Sequence, residues 1–241
     1  MTQPEQETQS DNQQPQKQNN GFFGNLVFNI IVPVVIMSYA SSDEWLGPAW
    51  SIVAALSFPI GYGIWDLKQS GKVNPFSVLG IVSVLLTGGI SLLELPAEYI
   101  AIKEAAIPAF IGIAVIITQF TNKPLVKILV LNEQIINWPH LDKVLADKGK
   151  TNEFELKVRL SSYIVASSFF LSAVLNYVLA KVILVSPPGT TEYTEELGKM
   201  TALSYPVIVI PSMVLLITAL WYLFSQIKKI TGEDIEDFLN Q

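Results

Sequence analysis

Six long apolar stretches constrain the fold of this chain more than any other feature. They lie near residues 22–40, 46–65, 76–95, 100–120, 160–185 and 203–225. At about 1.5 Å per helical residue, each stretch is long enough to cross a hydrocarbon core of about 30 Å. The stretches lack the polar stripe of helices in a soluble bundle and the period-2 alternation of barrel strands. The sequence therefore predicts an all-α fold, a polytopic membrane bundle with six transmembrane helices.

The composition supports a membrane protein and excludes several kinds of site. Only 15% of the residues are charged, against about 25% in a typical soluble domain. The chain has no cysteine and one histidine, which excludes a disulfide, a thiolate metal site and a histidine cluster. Its net charge of −6 argues against a nucleic-acid partner. Because no P-loop, GxGxxG, HExxH or GxSxG motif occurs either, we expect no cofactor, no metal site and no enzymatic activity.

Charge placement predicts the domain organisation and the orientation. Residues 1–20 form a Gln-rich polar tail that is predicted to be disordered, residues 21–228 form the transmembrane domain, and residues 229–241 form an acidic C-terminal tail. With six spans, twelve Lys and Arg residues fall on the side that holds the termini and three fall on the other side. The positive-inside rule then predicts a multi-pass membrane protein with both termini in the cytoplasm.

The longest predicted loop, roughly 121–157, joins spans four and five. Its segments PLVKILVLNEQIINW and PHLDKVLADKGK are interpreted as amphipathic helices that lie on the cytoplasmic leaflet, or as a surface for a protein partner. His140 lies in this loop and is interpreted as structural rather than catalytic. The acidic C-terminal tail is expected to be solvated, or to serve as a weak docking site.

Lys103 and Glu104 are the main ionisable residues at membrane depth. An intramembrane charge is expensive, and it therefore indicates a functional site by default. In the alternative interpretation, Lys103 reaches the outer interface, where Glu94 and Glu98 are available to pair with it. The residues alone leave both interpretations open.

Amides, small residues and prolines mark the other candidate positions inside the spans. Asn176 is predicted near the middle of span five, and Asn29 is positioned to bond to a neighbouring helix. Spans three and five carry faces of small and polar residues, which indicate close helix packing or, alternatively, the lining of a pore. The faces are Ser77, Gly80, Ser83, Thr87 and Ser91, and Ser161, Ser168, Ser172, Asn176 and Ala180. Internal prolines, which indicate either hinges or ordinary helix shaping, are Pro33, Pro59, Pro108, Pro206 and Pro211.

Several short motifs, in their order along the chain, resemble those of a known membrane-protein family. The motifs are Gly88-Gly89-Ile90-Ser91-Leu92, Glu98-Tyr99-Ile100 with Lys103, Lys123-Pro124-Leu125, and Asn176-Tyr177 with Ala180. They resemble the intracellular septation protein A-like family, also called YciB-like inner-membrane-spanning proteins, and related uncharacterised bacterial six-span proteins. The chain departs from the family at Ala101, where a second Lys is usual, and at Glu104, where an apolar residue is usual. The resemblance implies a role in cell-envelope biogenesis, membrane integrity and division.

Three functional hypotheses follow from the sequence. The first is a non-enzymatic inner-membrane protein that supports envelope assembly through contacts with the bilayer and with other envelope or division proteins. The second is a small transporter or channel that works as a homo-oligomer. A lipid-modifying enzyme, which would use Glu94, Glu98 and Glu104, is the weakest. A water-accessible cavity that reaches Asn176 or Lys103 would favour the second hypothesis, whereas a dry bundle would exclude it.

Overall fold

The fold is a bundle of helices. The structure is a computed structural model, and it describes residues 27–70, 75–121, 124–130 and 136–240. These residues form no β-strand, only an isolated bridge between Ile136 and Leu239, so the predicted all-α fold class is confirmed for the described ranges. The helices are α1 (Val27–Tyr39), α2 (Gly47–Ser70), α3 (Pro75–Leu92), α4 (Glu98–Thr118), α5 (Leu125–Val130), α6 (Trp138–Asp147), α7 (Thr151–Ile183) and α8 (Thr191–Thr231).

Three of the helices have the length and composition needed to cross a membrane. They are α4, α7 and α8, and two shorter apolar helices lie at Val27–Tyr39 and Val78–Leu92. Each predicted span coincides with a helix, although residues 22–26 of the first span lie outside the described residues. The chain is therefore compatible with a membrane protein, and its division into six spans stays a prediction. The predicted tail at 1–20 also lies outside the described residues.

Two helices begin well before the apolar stretches that predict them. Helix α7 begins at Thr151 rather than near residue 160, and α8 begins at Thr191 rather than near residue 203. The first turn of α8 is capped by the Thr190 hydroxyl, which accepts a hydrogen bond from the backbone N–H of Tyr193. Hydropathy finds the part of a helix that suits lipid, whereas capping and packing decide where the helix begins.

The helices meet at two ends of the bundle. The hairpin end contains the short loops 40–46, 93–97 and 184–190, and Thr191 there donates a hydrogen bond to the carbonyl of Ser41. The connection end contains the chain between α4 and α7 together with the C-terminal residues. Helix α4 packs along α7, α7 packs against α8, and α1 packs against the first part of α8.

Glycines permit close helix contacts at some positions and not at others. A Cβ atom on Gly88 would lie 2.8 Å from Cδ1 of Leu56, and one on Gly198 would lie 3.1 Å from Cβ of Met37. A Cβ atom on Gly89 would meet nothing within 4 Å. Gly88 is thus a packing position between α3 and α2, and Gly89 is not.

Two apolar cores lie at the two ends of the bundle. The hairpin-end core is built around Met37, Ile52, Ile100, Tyr193 and Leu197. The connection-end core contains fully buried residues from α4 to the C-terminus: Val115, Val126, Leu141, Leu145, Phe154, Val158, Val165, Leu223, Ile227 and Phe238.

Helix α6 packs on the protein itself. Leu141 and Leu145, which form its predicted lipid-facing side, are both buried in the connection-end core. The chain therefore covers the surface that was expected to lie on the leaflet or to bind a partner. Of the other predicted amphipathic segment, PLVKILVLNEQIINW, the structure describes the short helix α5, and residues 131–135 lie outside the described residues.

The C-terminal tail is not the solvated segment expected from its acidity. Phe238 is completely buried, and its carbonyl accepts a hydrogen bond from the backbone N–H of Asn137 at 2.7 Å. The Lys148 ammonium donates to the carbonyl of Thr231, and His140 lies against the Phe238 ring. One apolar side chain thus fastens the tail to the connection, while the acidic side chains of Glu236 and Asp237 remain exposed.

Candidate functional site

The side chain of Lys103 lies inside the bundle, where four hydrogen-bond acceptors surround its ammonium group. The side chain is 8% exposed, and Nζ donates to Oε1 of Glu104 at 2.7 Å. It also donates to Oγ1 of Thr87 and, at 3.2 and 3.3 Å, to Oγ and the carbonyl oxygen of Ser83. An ammonium group carries three protons, and these four acceptors account for all of them. Lys103 is therefore an internal cation that bridges α4 and α3.

The alternative pairing of Lys103 with Glu94 or Glu98 is wrong. Glu98, one of its two proposed partners, instead binds Lys181, with Oε1 and Nζ 2.9 Å apart at the surface. Glu94, the other, has its carboxyl group against Gly189 in the neighbouring loop of the hairpin end. Glu98 is thus brought into a surface ion pair between α4 and α7, and neither carboxylate joins the Lys103 cluster.

Glu104 presents oxygen atoms to the space between helices. One carboxylate oxygen accepts from Lys103, and the side chain is 26% exposed. Pro108 stands one turn further along α4 and has no N–H, so the main-chain carbonyl of Glu104 lacks its usual helix hydrogen bond. Pro108 therefore leaves a free main-chain carbonyl at Glu104, the residue that also carries the carboxylate.

Asn176 lies at the level of Glu104 rather than near the middle of its helix. It is seven residues from the end of α7 at Ile183, or about 10 Å. Its Nδ2 group donates to the carbonyl and to Oγ of Ser172 at 2.8 and 3.3 Å. The amide nitrogen therefore bonds within α7.

Two cavities meet at Glu104 and Asn176. The larger, of about 340 Å³, lies between α3, α4 and α7 and is also lined by Ser83, Pro108 and Ser172. The smaller, of about 150 Å³, lies between α4, α7 and α8 and is also lined by Thr201 and Ser204. We call the two together the polar cleft, defined by Ser83, Glu104, Ser172, Asn176, Thr201 and Ser204.

The α8 wall of the polar cleft is a part of the site that the sequence analysis missed. At Tyr205–Val209 the helix widens into a π-helical turn that contains Pro206. Such turns are frequent at functional sites because they interrupt the regular hydrogen bonds. Ser204 and Thr201 precede this turn and line the smaller cavity. The prolines of the sixth span were the signal that could have identified this region.

The remaining sequence candidates lie elsewhere. Asn29 is half-buried in the π-helical first turn of α1, and neither Gly88 nor Gly89 lines the polar cleft. The polar face of α7 divides: Ser172 and Asn176 line the cleft, whereas Ser161, like Ser168, is buried. The packing interpretation therefore holds for Ser161 and Ser168, while Ser172 and Asn176 line a cavity and the lining of a pore stays a prediction.

The cleft has few kinds of chemical group. It combines one carboxylate with neutral oxygen atoms, and the part of the chain that the structure describes has no group of three His, Cys, Asp or Glu residues suited to a metal. Glu104 has no acidic or histidine partner in the cleft with which to divide acid and base roles. Comparison with protein-family models, with curated proteins and with solved structures found no match for the chain.

Proposed function

We propose that the protein crosses the bacterial inner membrane six times, with both termini in the cytoplasm, and acts as a small transporter or channel through the polar cleft. The observation that carries the proposal is the pair of cavities that meet at Glu104 and Asn176. A water-accessible cavity that reaches these residues from one side is the feature that separates the transporter hypothesis from that of a dry contact protein. The twelve-to-three distribution of Lys and Arg supports the orientation.

The energetics of the Lys103–Glu104 pair favour a functional site over a packing device. Removing two charges from water costs several kcal/mol per ion, and apolar residues of similar size often stabilise a fold as well or better. The pair stands at the edge of space that is large enough for several water molecules, at about 30 Å³ each. Access to water reduces the desolvation cost and keeps the carboxylate available to a solute.

The walls of the polar cleft are suited to movement. Pro108 in α4 and the π-helical turn Tyr205–Val209 in α8 both interrupt the regular helix hydrogen bonds beside the cavities. Interrupted helices supply the hinges about which helix segments rotate when a site opens to alternate sides.

Solute flux into liposomes tests the proposal. The protein is reconstituted and compared with Ser172→Trp, which fills the larger cavity, and with Ser167→Trp, which changes an exposed position on the same helix. We expect flux above that of protein-free liposomes, a loss of about tenfold or more with Ser172→Trp, and little change with Ser167→Trp. Flux equal to that of empty liposomes for small cations, anions and neutral solutes would contradict the proposal.

The second candidate is the role implied by the resemblance, namely support of envelope assembly or division through contacts with other membrane proteins. Lys103 and Asn176, which carry part of the resemblance, belong to one region: Lys103 binds Glu104, and Glu104 and Asn176 line the same cavities. A deletion strain scored for envelope defects, then complemented with wild type, Lys103→Ala and Asn176→Ala, tests it. Full complementation by both variants would remove these residues from any envelope role.

A further inference from the structure

The nitrogen donors around the polar cleft are already committed to the protein. Lys103 donates its three protons among Ser83, Thr87 and Glu104, and both hydrogen bonds of the Asn176 amide nitrogen go to Ser172. The Thr201 and Ser204 hydroxyls donate to the carbonyls of Leu197 and Thr201, at 2.9 and 2.7 Å. The rotatable hydroxyls of Ser83 and Ser172 remain to donate to a ligand.

The acceptor oxygens show the opposite pattern. Within the described residues, no hydrogen bond occupies the second carboxylate oxygen of Glu104 or the side-chain oxygen of Asn176. The Glu104 main-chain carbonyl has no N–H at Pro108 to bind. Thr201 and Ser204 donate their protons away, which leaves their oxygen lone pairs free to accept. The cleft therefore offers several oxygen acceptors, one of them charged.

Such a set of atoms selects the charge of its ligand. Carboxylate, carbonyl and hydroxyl oxygens are the ligands of hard cations and of ammonium groups, whereas an anion needs several donors and the main ones left to this cleft are the hydroxyls of Ser83 and Ser172. A divalent ion ordinarily takes several carboxylates, and the cleft has one. Lys103 and Glu104 together are neutral, so a monovalent ion adds one net charge at membrane depth, where a second would be much more expensive.

We infer that the polar cleft is a binding site for a small monovalent cation, with Glu104 as its charged ligand and Lys103 as a resident ammonium that competes for the same carboxylate. The inference rests on the proposed function and names the class of solute. Lys103 occupies one carboxylate oxygen in the absence of solute and spares Glu104 from being an unpaired charge. An arriving cation binds the other oxygen and weakens the hold of Lys103.

Parallel flux measurements test the inference with sodium, potassium and methylammonium as cation probes, and with chloride and glycerol as comparisons. The variants are Glu104→Gln and, as a matched control, Glu98→Gln, which removes a surface carboxylate on the same helix. We expect cation flux in the wild type, a loss of at least about tenfold with Glu104→Gln, and no significant change with Glu98→Gln. Lys103→Met removes the competitor, so it should lower the cation concentration that gives half-maximal flux.

The outcomes separate the inference from the proposed function. Flux of chloride or glycerol without cation flux overturns the cation assignment and leaves the transporter proposal standing. Cation flux that is unchanged in Glu104→Gln also overturns the assignment. If neither the cations nor chloride nor glycerol is transported, both the cation inference and the transporter proposal are wrong. Should Glu104→Gln fail to fold, thiol labelling of Ser172→Cys in detergent replaces it: sodium, potassium or methylammonium should slow the reaction, and equal rates with and without these cations overturn the inference.

Discussion

The connection-end core and the polar cleft are built largely from the same three helices, α4, α7 and α8. The polar side chains of the core bond to the backbone, whereas two of those in the cleft keep oxygen atoms that face cavities. In the buried part of α7 near the connection end, the Ser162 and Ser168 hydroxyls donate to carbonyls of their own helix, and Ser161 donates to the carbonyl of Ala219 in α8. Closer to the hairpin end, Glu104 and Asn176 keep oxygen atoms that face cavities.

This contrast shows that a polar stripe on a membrane helix has no single meaning. Small hydroxyl residues return their protons to the backbone and permit close packing, which requires no water. A charge and a helix-interrupting proline beside the same stripe leave space and acceptors instead. In α7 both situations occur on one helix, and the change falls between Ser168 and Ser172.

The largest predicted effect on the free energy of unfolding comes from a substitution in the connection-end core. Phe238→Ala removes a completely buried ring from the connection-end core and should lower the free energy of unfolding by about 3–5 kcal/mol. Phe110→Ala is the matched control, because Phe110 is 70% exposed on α4. Unfolding in mixed detergent micelles measures both variants. A small effect of Phe238→Ala would show that the tail does not hold the connection in place.

The second-largest effect on the free energy of unfolding is expected at the Lys103–Glu104 ion pair. Glu104→Gln leaves the Lys103 ammonium without its carboxylate, and removal of one partner of a buried pair costs about 3 kcal/mol. Because Lys103→Met/Glu104→Gln removes both charges, the double variant should be more stable than Glu104→Gln alone. A double-mutant cycle on the free energy of unfolding measures the coupling. If the two single effects simply add, the residues do not interact as the structure shows.

Helix contact at the hairpin end gives a smaller effect. Gly198→Ala would place its Cβ 3.1 Å from Met37 and 3.5 Å from the carbonyl oxygen of Val34, and such overpacking costs about 1–3 kcal/mol. Gly89→Ala has open space around it and should be neutral or slightly stabilising, since Ala is favoured over Gly in helices by up to about 1 kcal/mol. Equal losses at the two positions would mean that α1 and α8 are less closely packed than described.

Much of the site could be predicted from the sequence because charged and amide residues are conspicuous in apolar runs. Lys103, Glu104 and Asn176 were recognised in this way. The partners of Lys103 on α3, Ser83 and Thr87, could not be assigned, because the register between two helices is not contained in the pattern of either one.

Two other features were missed for physical reasons. Thr201 lies just before the predicted sixth span and Ser204 at its start, where the sequence turns from polar to apolar, so hydropathy marked neither as a candidate site residue. The burial of Phe238 was hidden by the acidic residues around it, since one aromatic anchor is enough to dock a segment whose composition indicates solvation.

Thiol accessibility at one helical turn of α7 tests most directly the claim that the cleft is wet and the adjacent core is dry. The chain has no natural cysteine, so Ser172→Cys and Ser168→Cys each carry a single thiol. Ser172 lines the larger cavity, whereas Ser168 is 4% exposed. With water-soluble methanethiosulfonate reagents, Ser172→Cys should react readily, and faster with a cationic than with an anionic reagent, while Ser168→Cys should stay unlabelled. Equal reactivity at both positions, or none at residue 172, would contradict the account.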